Sequence, residues 1–231
     1  MREYNSSIRH CFNVYGTIRI TIWIFLLIAV SINTFAQQNC DLKKDEAGIQ
    51  VFLCETEDSP FKTINVNFIA KATLKEYAAG VLDIANYPKW QANILDPHVL
   101  INKSPSELIY YCEVDTPWPI DHRDLIFELK MSQDPATKVL TVTLKQLPDF
   151  IPKKDDIVRI PKAQSILTVT PLDEANVNVN YNIHVDIGGE IPAIIANLFA
   201  AQTPWQTFFN YRKRLADGKI SGDEILFVEN Y

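Results

Sequence analysis

The sequence lacks the short motifs that mark most enzyme active sites. It contains no G-x-S-x-G nucleophile elbow, no H-E-x-x-H zinc motif, no P-loop and no G-x-G-x-x-G nucleotide fingerprint. With only seven glycines among 231 residues, it also has no glycine-rich loop that would hold a phosphate. We therefore predict neither catalytic residues nor a cofactor.

Histidine is scarce, and the spacing expected of metal ligands is absent. His10 lies within the first 36 residues, whereas His98, His122 and His184 fall on separate predicted elements. The chain has no C-x-x-C pair. We expect no metal site, and we place His184 on the solvated face of its strand.

Positive charge is outweighed by negative charge. The chain has 22 basic and 28 acidic residues, a net charge of −6, and its first 36 residues are basic, so the remainder is more acidic still. Nucleic-acid binding needs a basic footprint, and tight docking on anionic bilayers needs a polybasic surface. We predict no nucleic-acid partner and only transient, hydrophobic contact with membranes. The sequence makes no prediction of the oligomeric state.

Residues 1–36 have the organisation of a signal peptide. Three arginines make the start of this segment positive, an apolar run follows at residues 20–32, and small residues lead up to Ala36. The stretch from 20 to 36 is shorter than the roughly 20 residues that a membrane-spanning helix needs. We predict cleavage after Ala36 and a secreted or periplasmic protein. An uncleaved membrane anchor is the alternative.

Three cysteines follow that segment: Cys40, Cys54 and Cys112. The chain between the first two has the pattern of a β-hairpin that turns at Asp45-Glu46-Ala47-Gly48. This register brings Cys40 opposite Leu53 or, with one bulged residue, opposite Cys54. An oxidising compartment would permit a Cys40–Cys54 disulfide, and buried free thiols are the alternative. We expect Cys112 to be a small apolar residue on a strand.

Strand signals dominate the rest of the chain, because segments rich in β-branched and apolar residues alternate with Pro, Asp and Asn breakers. The predicted strands cover residues 49–55, 63–70, 99–102, 108–114, 125–132, 139–147, 163–170 and 177–186. One helix is predicted over residues 74–85, with Thr73 and Glu76 as a capping box. The last strand alternates apolar and asparagine residues, which predicts a sheet with one apolar and one wet face.

A long amphipathic helix is predicted over residues 192–215. Pro204 falls in its interior and is expected to kink it, since proline removes a backbone hydrogen bond. Trp205, Phe208 and Phe209 flank the kink, and we place a ligand gate there. A static lid with an ordinary apolar face is the alternative.

The segment from Asp115 to Leu125, DTPWPIDHRDL, is the most distinctive in the chain. Two prolines flank a tryptophan, and an Arg-Asp pair then opens a β-prone run. This rigid corner resembles the Pro-Trp-Pro…Arg-Asp signature of START domains, the StAR-related lipid-transfer family. Two further matches fall in the order that the family uses: Tyr87-Pro88-Lys89-Trp90 upstream and Gly188-Gly189-Glu190-Ile191-Pro192 downstream. The resemblance covers residues 40–216.

The resemblance implies an α+β, helix-grip fold of the Bet v 1-like superfamily, with a curved antiparallel sheet wrapped around a long C-terminal helix and an internal apolar tunnel. It implies one domain, residues 37–216, followed by a short tail at residues 217–231. Such a domain would bind a lipid, sterol or similar apolar molecule and carry or present it outside the cytoplasm. The alternative is an enzyme of the same superfamily, a cyclase or hydrolase acting on a hydrophobic or aromatic small molecule. The number of carboxylates and histidines that face the tunnel distinguishes the two.

Strand parity and position near the corner and the last helix select the residues expected to contact the ligand. These are Tyr110, Trp118, Arg123, Phe127, Tyr181, Leu198, Trp205 and Phe209. Arg123 also has a structural alternative, in which it and Asp124 fasten the corner by an ion pair or backbone hydrogen bonds. Because adjacent residues of a strand point to opposite faces, these two side chains do not converge on one reacting atom.

Overall fold

The structure, a computed structural model, describes residues 39–116, 120–189 and 191–231, without the side chains of residues 198 and 199. The predicted signal peptide therefore lies outside the described residues, as does Trp118 of the corner. Among the described residues, no helix is both long enough and apolar enough to cross a bilayer.

The chain begins its described part with a disulfide-closed hairpin. Its strands are β1, Cys40–Glu46, and β2, Ile49–Thr56. The turn is shorter than predicted, because Ala47 and Gly48 alone make it, with φ of 53° and 71°. Positive φ at both central residues matches the twist of a two-residue hairpin. A bulge in β1 then brings Cys40 opposite Cys54, and the two sulfurs are bonded.

Eight further strands complete one sheet. They are β3 Ser59–Lys71, β4 Ile94–Ser104, β5 Glu107–Val114, β6 Arg123–Gln133, β7 Leu140–Gln146, β8 Val158–Arg159, β9 Lys162–Pro171 and β10 Asn176–Asp186. Their order across the sheet is β1-β2-β3-β10-β9-β7-β6-β5-β4, antiparallel throughout, and β8 pairs with β6 in parallel. Every predicted strand is present. Strand β8 was not predicted, because two residues are too few to show an alternation of apolar and polar side chains.

The alternation predicted for the last strand is confirmed. In β10, Val177 and Val179 are buried on the inner face of the sheet. On its outer face, asparagine side chains of β3 and β10 form hydrogen bonds with one another: Asn65, Asn67, Asn180 and Asn182. His184 differs from the prediction of a solvated position, because it is buried beside Thr63, with 3.4 Å between Nδ1 and Oγ1.

The first helix, α1, covers Leu74–Leu82 and has the predicted capping box. The Thr73 hydroxyl accepts from the Glu76 N–H at 3.2 Å, and the Glu76 carboxylate accepts from the Thr73 N–H at 2.8 Å. The helix ends three residues earlier than predicted, and a 3₁₀ helix, Ile84–Lys89, follows it. Pro88 lies in this segment and disfavours the α conformation of the residue before it.

The long C-terminal helix is divided in two, which corrects the prediction of a single kinked helix. α2 covers Ala193–Phe199, and α3 covers Gln202–Ala216. Pro204 lies in the first turn of α3, where a backbone N–H has no partner within the helix, so proline is tolerated there. The break therefore falls at residues 200–201 and not at the proline.

Helix α3 packs on the inner face of the sheet, against β2 and β3. Its buried aromatic residues make ring contacts: the centroids of Phe208 and Phe68 lie 5.1 Å apart, and those of Tyr211 and Tyr77 lie 5.0 Å apart. Fully burying a large apolar side chain contributes about 1.5–3 kcal/mol. The helix and the sheet thus hold each other across a shared apolar layer.

The outer face of β5 and β6 carries a second, smaller apolar cluster. Ile109, Tyr111 and Ile126 are buried there, with Leu147 and Ile151 packed against them. Hence the connection between β7 and β8 covers the outside of the sheet. Both faces of β6 are consequently buried.

The final residues, which the sequence suggested to be a short tail, pack against the domain. Val228 is buried in the main core, and the Asn230 side chain accepts from the Lys75 N–H of α1 at 3.1 Å. The Gln133 side chain also bonds to the backbone of Glu229. This segment adds to the core that supports α1.

Candidate ligand-binding cavity

A cavity of about 630 Å³ lies between the inner face of the sheet and the helices. It lies where the side chains of the curved sheet and those of the helices leave space between the two layers. Its walls are apolar and aromatic, and the residues that define its deep part are Tyr110, Phe127, Val142, Leu167, Tyr181 and Phe208. A space of this volume falls in the range of small-molecule sites.

The opening of the cavity is framed by its exposed lining residues. Asn93 and Asp115 contribute from the segments beside β4 and β5, and Ile195 and Gln202 contribute from α2 and α3. The Asp115 carboxylate lies 3.2 Å from Nε2 of His122, so it is engaged at the surface. The opening therefore lies between the short helix α2 and the ends of two strands.

Four of the predicted site residues line this cavity: Tyr110, Arg123, Phe127 and Tyr181. Strand parity placed them correctly on the inner face, and their contact with a ligand stays a prediction. Trp118 lies outside the described residues, and so does the side chain of Leu198.

Trp205 and Phe209 do not line the cavity, and their assignment as gate residues stays a prediction. Their rings stack on each other with centroids 5.1 Å apart, and the Trp205 indole N–H donates to the Glu46 carbonyl at 3.2 Å. Lys44 lies over the same indole ring, 4.2 Å from its centroid. The break before α3 sets the phase of the helix, so this side of it faces the β1–β2 hairpin.

Pro204, Phe208 and Tyr211 take the cavity-facing positions of α3 instead. Their spacing of four and three residues places them on one face of the helix. Helical periodicity therefore predicts that these residues lie together, but it does not predict that this face is the one turned toward the cavity. Ser165 of β9 also lines the cavity and was missed. It lies on the same face of β9 as buried Ala163 and Leu167, and this period of two was the signal that would have found it.

The polar side chains deep in the cavity are neutral. Burial raises the pKa of Tyr181 and of the Cys112 thiol, each to about 12, and raises the pKa of Tyr77 and Tyr110 well above the ordinary value. At neutral pH these groups act as hydrogen-bonding walls and not as bases or nucleophiles. Within the described part of the chain, no group of three or more His, Cys, Asp or Glu residues is placed to hold a metal ion.

The Arg-Asp pair at the start of β6 divides between the two faces of the sheet, as strand geometry predicts. Asp124 points outward and is held by Arg159 of β8, with Nε–Oδ1 and Nη2–Oδ2 distances of 2.6 and 2.9 Å. Arg159 also donates to three backbone carbonyls, those of Pro148, Ile151 and Pro152. The predicted ion pair at the corner exists, but Arg159 is its cation.

Arg123 points inward and lines the cavity, and it is 4% exposed. Its Nη1 donates to the Asp121 carbonyl, whereas Nε has no hydrogen-bond partner. Burial lowers the pKa of the Arg123 guanidinium, and the charge of Asp121 offsets part of that effect. Even so, an arginine remains charged inside a protein.

No protein-family model matches the chain. Among curated proteins, an uncharacterized protein of Pseudomonas aeruginosa is 26% identical over 197 residues, which are 85% of this chain and 96% of that protein. Among solved structures, a STAR-related lipid transfer protein from Xanthomonas axonopodis is 27% identical with a TM-score of 0.71, covering 77% of this chain and 98% of that chain. Human StAR-related lipid transfer protein 5 has a TM-score of 0.70 at 14% identity, covering 90% and 99% of the two chains.

The human structure shows agreement of fold alone, and the bacterial one adds similarity of sequence. Both agree with the antiparallel sheet and the C-terminal helix described above. The fold class that the sequence predicted is therefore confirmed, and so is the resemblance to START domains: the chain has the helix-grip fold of these solved structures.

Proposed function

We propose that the protein binds one lipid, sterol or similar apolar molecule in its cavity and carries or presents it outside the cytoplasm. The observation that carries this proposal is the apolar cavity of about 630 Å³ between sheet and helix. Each CH₂ group of a ligand buried there contributes about 0.8 kcal/mol before ordering costs. Similarity to the Xanthomonas lipid transfer protein supports a lipid as the class of ligand.

Two observations support a location outside the cytoplasm. The first is the signal-peptide organisation of residues 1–36. The second is the Cys40–Cys54 disulfide, since such bonds persist in oxidising compartments. Amino-terminal sequencing of the protein from fractionated cells tests both, and we expect a chain that starts at Gln37 outside the cytoplasm. A chain that retains its first 36 residues in the cytoplasmic fraction would contradict this part of the proposal.

The enzyme alternative requires titratable groups that face the deep cavity. Among the described lining residues, the one carboxylate is Asp115, which lies at the opening beside His122. The deep walls are aliphatic and aromatic, with neutral hydroxyls and one thiol. This composition favours binding over acid-base chemistry.

The first experiment is native mass spectrometry of the full-length gene product from its own cells, followed by organic extraction and identification of the bound lipid. We expect one apolar species near one molecule per protein. A protein that is empty and takes up neither fluorescent lipids nor fluorescent sterols would overturn the proposal.

A pair of variants then places the ligand in the cavity. Leu167→Trp fills the cavity from β9, whereas Ile166→Trp adds the same ring on the exposed outer face one residue away. We expect the first variant to weaken uptake of the neutral dye Nile red about tenfold or more, and the second to leave it unchanged. Equal effects of the two variants would place the binding site outside this cavity.

A further inference from the structure

Three buried side-chain atoms in the described residues have no well-formed hydrogen bond: Tyr77 Oη, Arg123 Nε and Ser165 Oγ. The Ser165 hydroxyl nevertheless interacts with that of Tyr181 and offsets part of the rise that burial causes in the pKa of Tyr181. All three residues line the cavity, and none lies elsewhere in the core. Buried polar groups in folded proteins are nearly always paired, so unpaired ones mark a place where something else supplies the partner. Their convergence on one cavity indicates that its ligand carries polar atoms.

Arg123 has the largest unmet requirement of the three. A guanidinium has five N–H donors, and one nitrogen, Nη1, has an acceptor in the described residues, the carbonyl of Asp121. Within that part of the chain, no carboxylate lies at ion-pair distance from Arg123, and Asp115 and Asp121 are both exposed. Water satisfies a hydroxyl such as Ser165, but it does not neutralise a buried charge.

The backbone that leads into α2 passes close to Arg123. Gly189 has a φ of 71°, and a Cβ atom at that position would lie 3.2 Å from Nη2 of Arg123. A side chain there would press on the guanidinium, so glycine permits this close approach of the backbone. Arg123 is thus packed against Gly189 on this side and lines the cavity on another.

The position of Arg123 suits a head group rather than a tail. Arg123 pairs across the sheet with Val114, which in turn pairs with Ile94, so it lies in the row of the sheet next to the opening. Phe127 lies four residues further along the same strand, about 13 Å deeper, in the apolar part. The cavity therefore suits a ligand whose polar head group lies near Arg123, beneath the opening, and whose apolar chain lies near Phe127.

We propose that the ligand is an amphiphile with an anionic head group, a carboxylate or a phosphate, which Arg123 binds beneath the opening of the cavity. This inference rests on the proposed function and narrows its class of ligand. Two oxygens of either head group match the fork of the guanidinium. The hydroxyl of Tyr77 is a donor for a further oxygen on the chain of the same ligand.

The test compares three ligands that share one 16-carbon chain: hexadecanoic acid, hexadecyl phosphate and the neutral hexadecanol. Each displaces Nile red from the full-length gene product purified from its own cells and freed of bound lipid. The variants are Arg123→Met, Arg123→Lys and Glu190→Gln, the last because Glu190 follows Gly189 in the chain and lies outside the described residues. The control is Lys145→Met, which removes a positive charge from the exposed outer side of β7.

We expect the unaltered protein to bind at least one of the two anionic ligands about tenfold or more tightly than hexadecanol, because hydrogen bonds to charged groups are the strong ones. Comparison of the affinities for hexadecanoic acid and hexadecyl phosphate then shows whether the cavity prefers a carboxylate or a phosphate head group. Arg123→Met is expected to lose this preference, Arg123→Lys to keep part of it, and Lys145→Met to keep all of it.

Four outcomes would overturn the inference while leaving lipid binding intact. They are equal affinity of the unaltered protein for all three ligands, an unchanged preference in Arg123→Met, loss of the preference in Lys145→Met, and a preference that appears only in Glu190→Gln. The last would make Glu190 the counter-ion. Failure to bind Nile red or any of the three ligands would instead overturn the proposed function. If Arg123→Met does not fold, Arg123→Lys serves in its place. A change of less than about twofold in its preference for the anionic ligands over hexadecanol would then contradict the inference.

Discussion

Two arginines of this protein are almost equally buried and have opposite surroundings. Arg159 is 6% exposed and Arg123 is 4% exposed. Arg159 makes two hydrogen bonds to Asp124 and three to backbone carbonyls on the outer face of the sheet. Within the described residues Arg123 makes one hydrogen bond, to a single carbonyl, and it faces the cavity.

The difference shows how one dipeptide serves two purposes. Arg123 and Asp124 are neighbours in β6, and the alternation of the strand sends one side chain inward and the other outward. Asp124 and Arg159 satisfy each other, which is how proteins tolerate buried charge. Arg123 is a buried cation whose hydrogen-bonding capacity is met only in part by the described residues, which is the basis for proposing it as a binding group. Three predictions test this contrast.

The largest effect is expected from Arg159→Met. This change leaves Asp124 buried without its cation, and breaking a buried pair in this way costs about 3–5 kcal/mol. Urea unfolding at neutral pH measures the loss. The double variant Arg159→Met with Asp124→Leu is expected to recover most of the stability, because both charges are then gone. A loss below about 1 kcal/mol in the single variant would mean that the ion pair does not hold the outer face.

Arg123→Met is expected to behave in the opposite way. It removes a charge that the protein leaves partly unpaired, so the free energy of unfolding of the lipid-free protein should fall by no more than about 1 kcal/mol, or rise. The same urea titration provides the comparison. A loss as large as that of Arg159→Met would make Arg123 a structural residue and would remove the distinction between the two sites.

The smallest effect concerns His184, a buried base that, unlike arginine, can lose its charge. Burial lowers its pKa from the ordinary value of 6.5, the charge of Lys162 adds to this, and Asp186 partly opposes it. Below about pH 6.5 the unfolded chain therefore takes up a proton before the folded protein does, so stability falls as the pH falls through this region.

Urea unfolding at pH 7.5, 6.5 and 5.5 measures this dependence. Between pH 7.5 and pH 5.5, we expect the free energy of unfolding of the unaltered protein to fall by up to about 1 kcal/mol more than that of His184→Gln. Parallel loss in both proteins would show that His184 does not titrate with folding.

Much of the fold was predictable because it depends on short-range rules. The capping box of Thr73 and Glu76 and the strict alternation of β10 are visible within a few residues. The Cys40–Cys54 pairing was predictable as one of two registers, since a hairpin has few alternatives and the bulge decides between them. The family resemblance, carried by a proline-rich corner and two other motifs, supplied the arrangement of these parts.

The candidate site was predictable only in part. Parity placed Tyr110, Phe127 and Tyr181 on the correct face, because a strand has two faces and one is clearly apolar. Position beside the expected kink did not place Trp205 and Phe209 among the cavity-lining residues, because a helix has many faces and its phase depends on where it begins. That beginning was misplaced when Pro204 was taken for an interior kink.

By itself the sequence determined the alternation of side chains along the strands and the start of α1, because sterics and local hydrogen bonds decide these within a few residues. Only the tertiary structure decided which buried charge has a partner. Asp124 finds Arg159 across 35 residues of chain, and Arg123, next to it, finds an open cavity. No local rule predicts that Asp124 is paired and that Arg123 faces the cavity, since pairing depends on which residues the folded chain brings to each face of the sheet.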